Sequence, residues 1–303
     1  MKTYRRLNVN FFSLLDEILV KGDVNISIII YNYLNKDTYF CLMQNILTFK
    51  NAKISFSVYG KGASIVLLHG FLENSTMWNS MLPLLSKRNK IICIDLLGHG
   101  KSECIGYVHS MELLAEAVET VLKHLKIRKP IVIGHSMGGY VALAFAEKNP
   151  EKIKGFCLMN STSLADDDER KLLRARANKM VQNNFKSMVR LSFTNLFSEE
   201  SRITYKDEMK AALNEALKTP VQGYIAASEG MRIRENKEQV LQNLSCKKLL
   251  VIGEKDPVLD FETSLEEAKK NNLETVVLDG GHMSHIENKD ELITALNQFV
   301  KSC

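Results

Sequence analysis

The sequence lacks the features that most directly indicate a membrane or nucleic-acid protein. It has no stretch of about 18 apolar residues, the length that a membrane-spanning helix needs. No basic run exceeds two residues, and 40 basic against 35 acidic residues leave a formal net charge of only +5 over 303 residues. A nucleic-acid partner is therefore not expected, because binding to phosphates needs clustered positive charge.

The cysteines show no pattern of a disulfide framework or a zinc site. The six of them are scattered without C-x-x-C spacing, and three lie within apolar runs, namely Cys41, Cys93 and Cys157. This distribution favours free thiols in a reducing compartment. Together with the missing membrane segment, it predicts a cytoplasmic protein.

Residues 1–42 form an N-terminal extension that matches no pattern in the rest of the chain. Basic residues precede an apolar patch, but Asp16 and Glu17 interrupt that patch and no small-residue cleavage site follows, so a signal peptide is not predicted. One hypothesis is that translation starts at Met43 and that the upstream segment is non-coding sequence. An intact-mass measurement that finds residues 1–42 in the native protein would contradict it.

Short apolar runs recur from Ile65 onward and alternate with helical patterns. The runs are continuous, as in strands that are buried on both faces, and cover 65–69, 91–95, 131–135, 156–160, 249–253 and 275–279. The segments 111–125 and 137–150 have apolar residues at helical spacing between them. This alternation predicts an α/β fold with a doubly wound, mostly parallel sheet.

Upstream of these runs, the pattern of residues 46–60 predicts a hairpin at one edge of the sheet, with its turn at Asn51-Ala52.

Residues 161–236 interrupt this rhythm. They are helical in pattern, rich in charge, Met and Phe, and contain no convincing strand. Because the strands resume afterwards, an inserted helical cap is a better interpretation than a separate domain. The predicted organisation is thus an extension (1–42), a core in two pieces (43–160 and 237–303) and a cap (161–236).

The segment Gly134-His135-Ser136-Met137-Gly138 has the pattern G-x-S-x-G, preceded by a strand and followed by a helix. In that context the serine stands on a strained turn with its hydroxyl exposed, and glycines two residues away leave room for it. The helix N-terminus favours a developing negative charge there. Two main-chain N–H groups are predicted to form an oxyanion hole, from Met137 and from Phe71 in an earlier strand-end loop, where His69 is predicted to order the loop.

Five motifs then occur in one order along the chain: HGF (69–71), DLLGHGKS (95–102), GHSMGGY (134–140), GEKDPV (253–258) and GGHMSHIEN (280–288). In this order they resemble the α/β-hydrolase fold superfamily, especially its small esterase-like and C–C-hydrolase-like branch, from about Met43 to the end. The family order of nucleophile, acid and histidine implies that Ser136, Asp256 and His282 form a catalytic triad.

The resemblance also implies roles for other acidic residues. Asp256 follows a strand, so its carboxylate would lie at the same end of the sheet as Ser136, where α/β sheets bind ligands. Asp260, four residues on, is a rival acid that the family position disfavours. Asp95, in the second motif, is expected to shape a loop rather than take part in the reaction.

The implied activity is that of a serine hydrolase for a small carboxylic ester, working without a metal or another cofactor. A C–C bond hydrolase, a cofactor-free perhydrolase and a triad-bearing ligand sensor with a protein partner remain open alternatives. An apolar pocket for a small-molecule substrate is expected from Phe71, Trp78, Met137 and cap residues, namely Met180, Phe185, Met188, Phe193, Phe197 and Met231. Arg232 and Arg234 are candidates for holding a substrate carboxylate.

The two histidines of the last motif need separate interpretations. His282 and His285 are three residues apart, a spacing that also suits a pair of metal ligands. Such a pair needs further ligands, and the sequence displays no Cys, His or carboxylate cluster that supplies them. We therefore interpret His282 as the catalytic base and His285 as a neighbour.

This interpretation predicts an asymmetry between two variants. His282→Ala should remove nearly all activity, because the nucleophile loses its base, while His285→Ala should cost far less. Steady-state hydrolysis of a short ester by both variants measures the difference. Equal losses would contradict the assignment.

Overall fold

The apolar runs form one sheet in the computed structural model, which describes residues 43–303. Within these residues, eight strands are hydrogen-bonded together: β1 (Met43–Phe49), β2 (Ala52–Tyr59), β3 (Ala63–Leu68), β4 (Asn89–Ile94), β5 (Ile131–His135), β6 (Gly155–Met159), β7 (Lys247–Gly253) and β8 (Glu274–Leu278). The six predicted runs correspond to β3–β8, with ends that differ by at most two residues. The hypothesis about residues 1–42 lies outside the described residues.

The sheet has the order β1-β2-β4-β3-β5-β6-β7-β8. All neighbours from β4 to β8 are parallel, while β1 and β2 pair antiparallel with each other and β2 pairs antiparallel with β4. Every residue of β5 and β6 is buried, which explains why these strands are continuously apolar rather than alternating. The predicted doubly wound, mostly parallel α/β class is confirmed.

The edge hairpin forms as predicted, but its turn lies one residue earlier. Phe49 pairs with Ala52, so the two turn residues are Lys50 and Asn51 rather than Asn51 and Ala52. Both have positive φ, 45° and 66°, as a two-residue type I′ turn requires. Asparagine suits this conformation better than most residues, which is the signal that located the turn approximately.

Helices connect the strands at the positions that the periodicity indicates. They are α1 (Leu82–Leu85), α2 (Met111–His124), α3 (Met137–Lys148), α4 (Asp168–Thr194), α5 (Ser201–Thr204), α6 (Lys206–Ala216), α7 (Val221–Arg232), α8 (Glu238–Asn243), α9 (Phe261–Lys270), α10 (Ser284–Glu287) and α11 (Lys289–Ser302). Short 3₁₀ turns cover Ser75–Trp78 and Pro150–Lys152. Side-chain caps begin several helices: Ser110 Oγ, for example, accepts from Leu113 N–H at the start of α2.

Helices α4 to α7 lie between β6 and β7, in the stretch for which the sequence predicts a cap. Helix α4 has a kink at Asn184, whose φ of −131° and ψ of 39° are not helical. An apolar cluster joins these helices to the loops that follow β3 and β8, with Leu72, Val181, Phe193, Tyr224 and Met283 among its buried members. The insertion is therefore packed onto the loops at the carboxyl end of the sheet.

The strand order determines where a site can form. From β3 the chain continues to β4 on one side of that strand, whereas β5 and the later strands lie on its other side. The direction in which strands are added to the sheet therefore reverses between β3 and β5. The loops after these two strands diverge to opposite faces and leave a crevice, which is where open α/β sheets bind ligands. Among residues 43–303, no helix combines the length and the apolar content that a bilayer crossing requires.

Candidate active site

Ser136 stands at the turn between β5 and α3 with a backbone conformation that few residues adopt. Its φ is 49° and its ψ is −116°, and it is the N-cap residue of α3. A non-glycine residue at such angles stores strain, which a structure retains where the geometry has a use. The strained turn lifts the hydroxyl away from the strand and directs the helix N-terminus toward it.

Glycines on either side make this turn sterically possible. A Cβ atom on Gly134 would lie 2.3 Å from the carbonyl oxygen of Gly138, and a Cβ on Gly138 would lie 2.3 Å from the carbonyl oxygen of Leu68. Both opposing atoms belong to the backbone, so no side chain can move aside to make room. The G-x-S-x-G spacing thus allows α3 to begin directly against β3 and β5.

The structure brings Ser136, His282 and Asp256 together in one hydrogen-bonded chain. His282 Nε2 lies 2.9 Å from Ser136 Oγ, and His282 Nδ1 lies 2.8 Å from Asp256 Oδ2. Only 2% of each of the His282 and Asp256 side chains is exposed, so water competes little for these bonds. The imidazole can therefore accept the serine proton while its other nitrogen donates to the carboxylate.

The environment of Asp256 keeps its carboxylate ionised. Oδ1 accepts hydrogen bonds from the N–H groups of Val258 (2.8 Å) and Leu259 (3.1 Å). Burial alone raises the pKa of Asp256, but the attraction of His282 and these hydrogen bonds outweigh it and hold the pKa below its ordinary value. The rival acid, Asp260, is exposed and instead caps helix α9 by accepting from Thr263 N–H.

Two main-chain N–H groups beside Ser136 are available to a ligand. Within residues 43–303, no carbonyl or side chain accepts a hydrogen bond from the N–H of Phe71 or of Met137. Phe71 belongs to the loop after β3, and Met137 is the first residue of α3. The side chains differ from the expectation for a shared pocket: Phe71 lines the cavity, whereas Met137 is fully buried in the core.

The loops that carry these groups are ordered by buried polar side chains. His69 Nδ1 donates to the carbonyl of Gly70 (2.8 Å), and its Nε2 accepts from Leu96 N–H (2.9 Å). Asp95 accepts from the N–H groups of Ser75 and Lys101. Neither side chain lines the cavity, which agrees with the loop-ordering roles expected for both.

A cavity of about 280 Å³ opens onto Ser136 and His282. Phe71 and Met231 line it, together with further side chains from both the sheet loops and the insertion: Leu72, Tyr140, Leu173, Leu196, Tyr224 and Val258. A larger groove, of about 860 Å³, lies on the far side of Leu72 but contains neither Ser136 nor His282. The smaller cavity is therefore the one that a reacting group can use.

The expectation that Trp78 lines this cavity is wrong. Its side chain has no exposed surface and belongs to the 3₁₀ turn Ser75–Trp78, away from the cavity wall. Burial of the apolar ring favours this position, although the indole Nε1 has no hydrogen-bond partner among the described residues. Of the six cap residues considered, only Met231 lines the cavity; Met180, for example, is 53% exposed, and Phe197 is fully buried.

Positive charge does reach the cavity, but from arginines other than those considered in the sequence. Arg170 and Arg174 of α4 line it. Arg232 pairs instead with Glu229 at 2.7 Å, and the buried Arg234 pairs with Asp166 at 2.8 Å. The helical spacing of four residues places Arg170 and Arg174 on one face of α4, a signal that was present in the sequence and was overlooked.

Sequence reasoning also missed Asn160, which directly follows β6. Its Nδ2 donates to Asp256 Oδ2 and to the carbonyl of Gly281, both at 3.2 Å, and its Oδ1 accepts from Ser284 Oγ at 2.7 Å. Asn160 has a φ of 45°. An asparagine at the end of a buried strand is a weak sequence signal for such a turn, since asparagine tolerates positive φ.

A second set of missed residues lies behind the triad. Potential ligand atoms of Glu73, His135 and His285 lie within 4.8 Å of one another, and all three residues are buried. The sequence displayed no partners for His285 because the other two residues lie far from it along the chain. The three converge only in the folded protein.

Comparisons with known proteins show the family to which the chain belongs. A family model described as alpha/beta hydrolase fold matches residues 63–289. The 3-oxoadipate enol-lactonase 1 of Acinetobacter baylyi is 28% identical over 79% of this chain and 89% of its own length. The crystal structure of a thermophilic esterase from Thermogutta terrifontis superimposes with a TM-score of 0.81, at 27% identity, over 86% of this chain and 98% of that one.

A shorter match has higher identity. An uncharacterized protein of Mycobacterium tuberculosis is 34% identical over 113 residues, which is 37% of this chain. The matched stretch spans only 33% of that protein's length. It therefore supports common ancestry of one segment and carries no information on activity.

The close approach at Gly138 predicts what an added methyl group does. In Gly138→Ala, the Cβ would overlap a backbone oxygen, which should lower the free energy of unfolding by about 2–3 kcal/mol and displace Ser136. Urea unfolding and labelling of Ser136 by a fluorophosphonate measure the two effects.

Gly106→Ala is the control for this prediction. Its φ is 64° and nothing lies within 4 Å of an added Cβ, so we expect a loss of stability of about 1 kcal/mol and full labelling. Full labelling and unchanged stability of Gly138→Ala would contradict the steric argument.

Proposed function

The chain belongs to the α/β hydrolase fold family, and we propose that it hydrolyses small carboxylic esters through an acyl-enzyme on Ser136. The observation that supports this most strongly is the chain of hydrogen bonds from Ser136 Oγ through His282 to Asp256, at 2.9 and 2.8 Å. A nucleophile, a base and an orienting acid within hydrogen-bond distance make up the set that acyl transfer requires.

In the proposed first half-reaction, Ser136 Oγ attacks the ester carbonyl carbon as His282 Nε2 takes its proton. Asp256 stabilises the imidazolium that forms and fixes the ring tautomer. Collapse of the tetrahedral intermediate breaks the bond to the alcohol oxygen, and His282 returns the proton to that oxygen. The alcohol leaves, and the acyl group remains on Ser136.

The unpartnered N–H groups of Phe71 and Met137 are proposed to form the oxyanion hole. They would donate hydrogen bonds to the carbonyl oxygen as it gains negative charge. Each such donor typically contributes about 3–4 kcal/mol to the stability of the transition state. Since both are backbone groups, one on an ordered loop and one at the start of α3, they need no reorganisation during the reaction.

In the second half-reaction, water attacks the acyl carbon while His282 takes a proton from it. The tetrahedral intermediate collapses with release of the carboxylic acid, and Ser136 regains its proton from His282. The proposed cycle uses only side chains and main-chain groups of this protein and needs no metal or other cofactor.

The cavity supports a substrate of modest size. Its volume of about 280 Å³ lies at the lower end of the range for small-molecule sites. Apolar side chains dominate its wall, to which Arg170 and Arg174 add two guanidinium groups and Glu73 adds a carboxylate that is paired with His135. Arg174 is held by Asp166 at 2.6 Å, whereas Arg170 lies farther from Asp166, at 3.7 Å, and donates to the carbonyl of Val258 at 2.9 Å. We therefore propose that the preferred ester carries a negative charge at the end remote from the scissile bond.

The related proteins with named activities fit this substrate class. One is named an enol-lactonase and another an esterase. Lactones and esters share the acyl–oxygen bond that the proposed mechanism breaks. Common chemistry at that bond, rather than a common substrate, is what the relatives support.

The proposed nucleophile predicts a complete dependence on Ser136. The wild-type protein should hydrolyse short p-nitrophenyl esters and react with a fluorophosphonate, while Ser136→Ala should lose about 10⁴-fold or more in kcat and all labelling. Wild-type activity no higher than that of the variant would overturn the proposal. A vinylogous diketone cleaved faster than every ester would favour the C–C hydrolase instead.

The arginines predict a preference for anionic esters. The p-nitrophenyl monoester of succinic acid should have a higher kcat/KM than the neutral butyrate ester of similar size. Arg170→Gln should reduce the ratio of these two kcat/KM values, anionic over neutral ester, by about three- to tenfold. The loss is limited because the contact is partly exposed and screened by solvent. Asp166 keeps its pairing with Arg174 and Arg234 in this variant.

Arg232→Gln serves as the control for this selectivity. Arg232 is as exposed as Arg170 (35% against 36%) but pairs with Glu229 and does not line the cavity. The ratio should stay unchanged in this variant. An equal ratio in wild type and Arg170→Gln would contradict the assignment of the anionic subsite.

A further inference from the structure

Two buried polar side chains, Glu73 and His135, lie next to the proposed triad, and both line the cavity that opens onto Ser136. His135 is the residue before Ser136 and is 1% exposed; Glu73 belongs to the loop after β3 and is 6% exposed. The reaction steps above use neither of them. A buried carboxylate and a buried imidazole are costly to maintain unless they are paired, so their arrangement needs an explanation.

Both ring nitrogens of His135 face oxygen atoms, one of a carbonyl group and one of the Glu73 carboxyl group, and both of these oxygens are acceptors when Glu73 is ionised. Nδ1 lies 2.6 Å from Glu73 Oε2, and Nε2 lies 2.9 Å from the carbonyl oxygen of His282. A neutral imidazole has one N–H and would turn a lone pair toward one of these oxygens. With Glu73 ionised, as its lowered pKa indicates, both nitrogens donate, which makes His135 an imidazolium ion and Glu73 its counter-ion.

The electrostatics of the pair agree with this assignment. Burial lowers the pKa of His135, but the attraction and hydrogen bond of Glu73 and the His282 carbonyl outweigh it and raise the pKa. Burial likewise raises the pKa of Glu73, but His135 outweighs it and lowers the pKa to about 2. His285, whose pKa burial lowers to about 4, adds no competing charge at neutral pH.

The pH range of the ion pair follows from these directions. Glu73 loses its charge as the pH falls toward about 2, and His135 loses its charge as the pH rises through its raised pKa. The pair is thus complete between these two transitions and contributes stability over that pH range. Other titratable groups that act on it are His69 and Asp256.

Glu73 also holds the loop that carries the proposed oxyanion hole. Its Oε2 accepts a second hydrogen bond, from Gly70 N–H at 2.7 Å. Gly70 directly precedes Phe71, whose N–H is a proposed oxyanion donor. One carboxylate therefore connects the oxyanion loop to His135, and His135 connects it to the backbone of the catalytic base.

We propose that Glu73 and His135 are positioning residues that together fix His282 and the oxyanion loop relative to Ser136. This inference rests on the proposed function of the triad. His282 follows two glycines, Gly280 and Gly281, so its backbone would otherwise have more freedom than most. The charge-assisted hydrogen bond from His135 to the carbonyl oxygen of His282 restrains this backbone. A displacement of a catalytic group by about 1 Å can lower the rate by about 10²-fold.

A metal ion is the alternative occupant of this cluster, since Glu73, His135 and His285 offer suitable ligand atoms. The hydrogen-bond pattern favours the proton. A ligating histidine commonly donates its second N–H to an acceptor, but Nδ1 of His285 has no partner among the described residues. His285 Nε2 lies 3.6 Å from Glu73 Oε1, too far for a hydrogen bond.

The protonation state of His135 tests the proposal without reference to activity. Long-range ¹H–¹⁵N spectra of the histidine-labelled wild-type protein, assigned with His135→Asn, should show two N–H groups on this ring at about pH 7, where an ordinary histidine is mostly neutral. In Glu73→Gln the ring should be neutral. A neutral His135 in the wild type, or stoichiometric metal in the purified protein by elemental analysis, would overturn the proposal.

Kinetics of two Glu73 variants test the positioning role. Glu73→Ala removes both hydrogen bonds and should lower kcat by about 100-fold with KM changed less than about threefold. Glu73→Gln should recover kcat to within about tenfold, because its amide oxygen, in the place of Oε2, can still accept from Gly70 N–H and from the Nδ1–H of a neutral His135, so that only the bond from Nε2 to the His282 carbonyl is lost. A kcat of Glu73→Ala close to the wild-type value would overturn the proposal, as would equal losses in both variants.

Glu267→Ala is the matched control for loss of a buried carboxylate. Glu267 is 4% exposed and accepts hydrogen bonds from Ser163 N–H and Oγ, away from His282. This variant should lose stability in urea unfolding while kcat stays within about twofold of wild type. An equal loss of kcat in Glu267→Ala and Glu73→Ala would reduce the effect to general destabilisation and refute a positioning role.

Failure of the proposed function can be distinguished from failure of this inference. Absence of Ser136-dependent hydrolysis and labelling in the wild type would remove the triad proposal, whatever the spectra show. A doubly protonated His135 would still establish the ion pair in that case. Full activity with a neutral His135 would instead support the proposed triad and contradict the proposed ion pair of Glu73 and His135.

Discussion

The strained backbone of Ser136 is the constraint on which the rest of the site depends. A φ of 49° at a residue with a side chain is tolerated only because the surroundings hold it in place. Helix α3 begins against the ends of β3 and β5, and the glycines at positions 134 and 138 allow the backbones to approach closely enough. The hydroxyl consequently projects into the crevice where the strand order reverses.

The other groups of the site are held by buried hydrogen bonds rather than by apolar packing. Asp256 accepts from two backbone N–H groups and from Asn160, and Glu287 accepts from the N–H groups on both sides of His282. Such polar networks are specific because each unsatisfied member is costly at low dielectric. The histidine loop thereby gains a defined position although two glycines precede it.

The insertion illustrates where pattern reasoning reaches its limit. Charge and helical periodicity in residues 161–236 correctly indicated helices, because those properties are local. Which side chains line the cavity depends on the kink at Asn184 and on the packing of α4 against α7, which sequence periodicity does not encode. For this reason the pattern wrongly predicts that Phe197, which is fully buried, lines the pocket, and it does not indicate that Arg170 and Arg174 do so.

The sequence by itself determined the class of the fold, the order of its strands along the chain and the positions of Ser136, Asp256 and His282 as candidates. These follow from local apolar runs, from the two glycines around Ser136 and from the order of motifs. The tertiary structure alone decided that His135, Glu73 and His285 meet behind the triad and that arginines from α4 reach its mouth. Residues 73 and 135 are 62 positions apart, and only the parallel pairing of β3 with β5 brings their loops together.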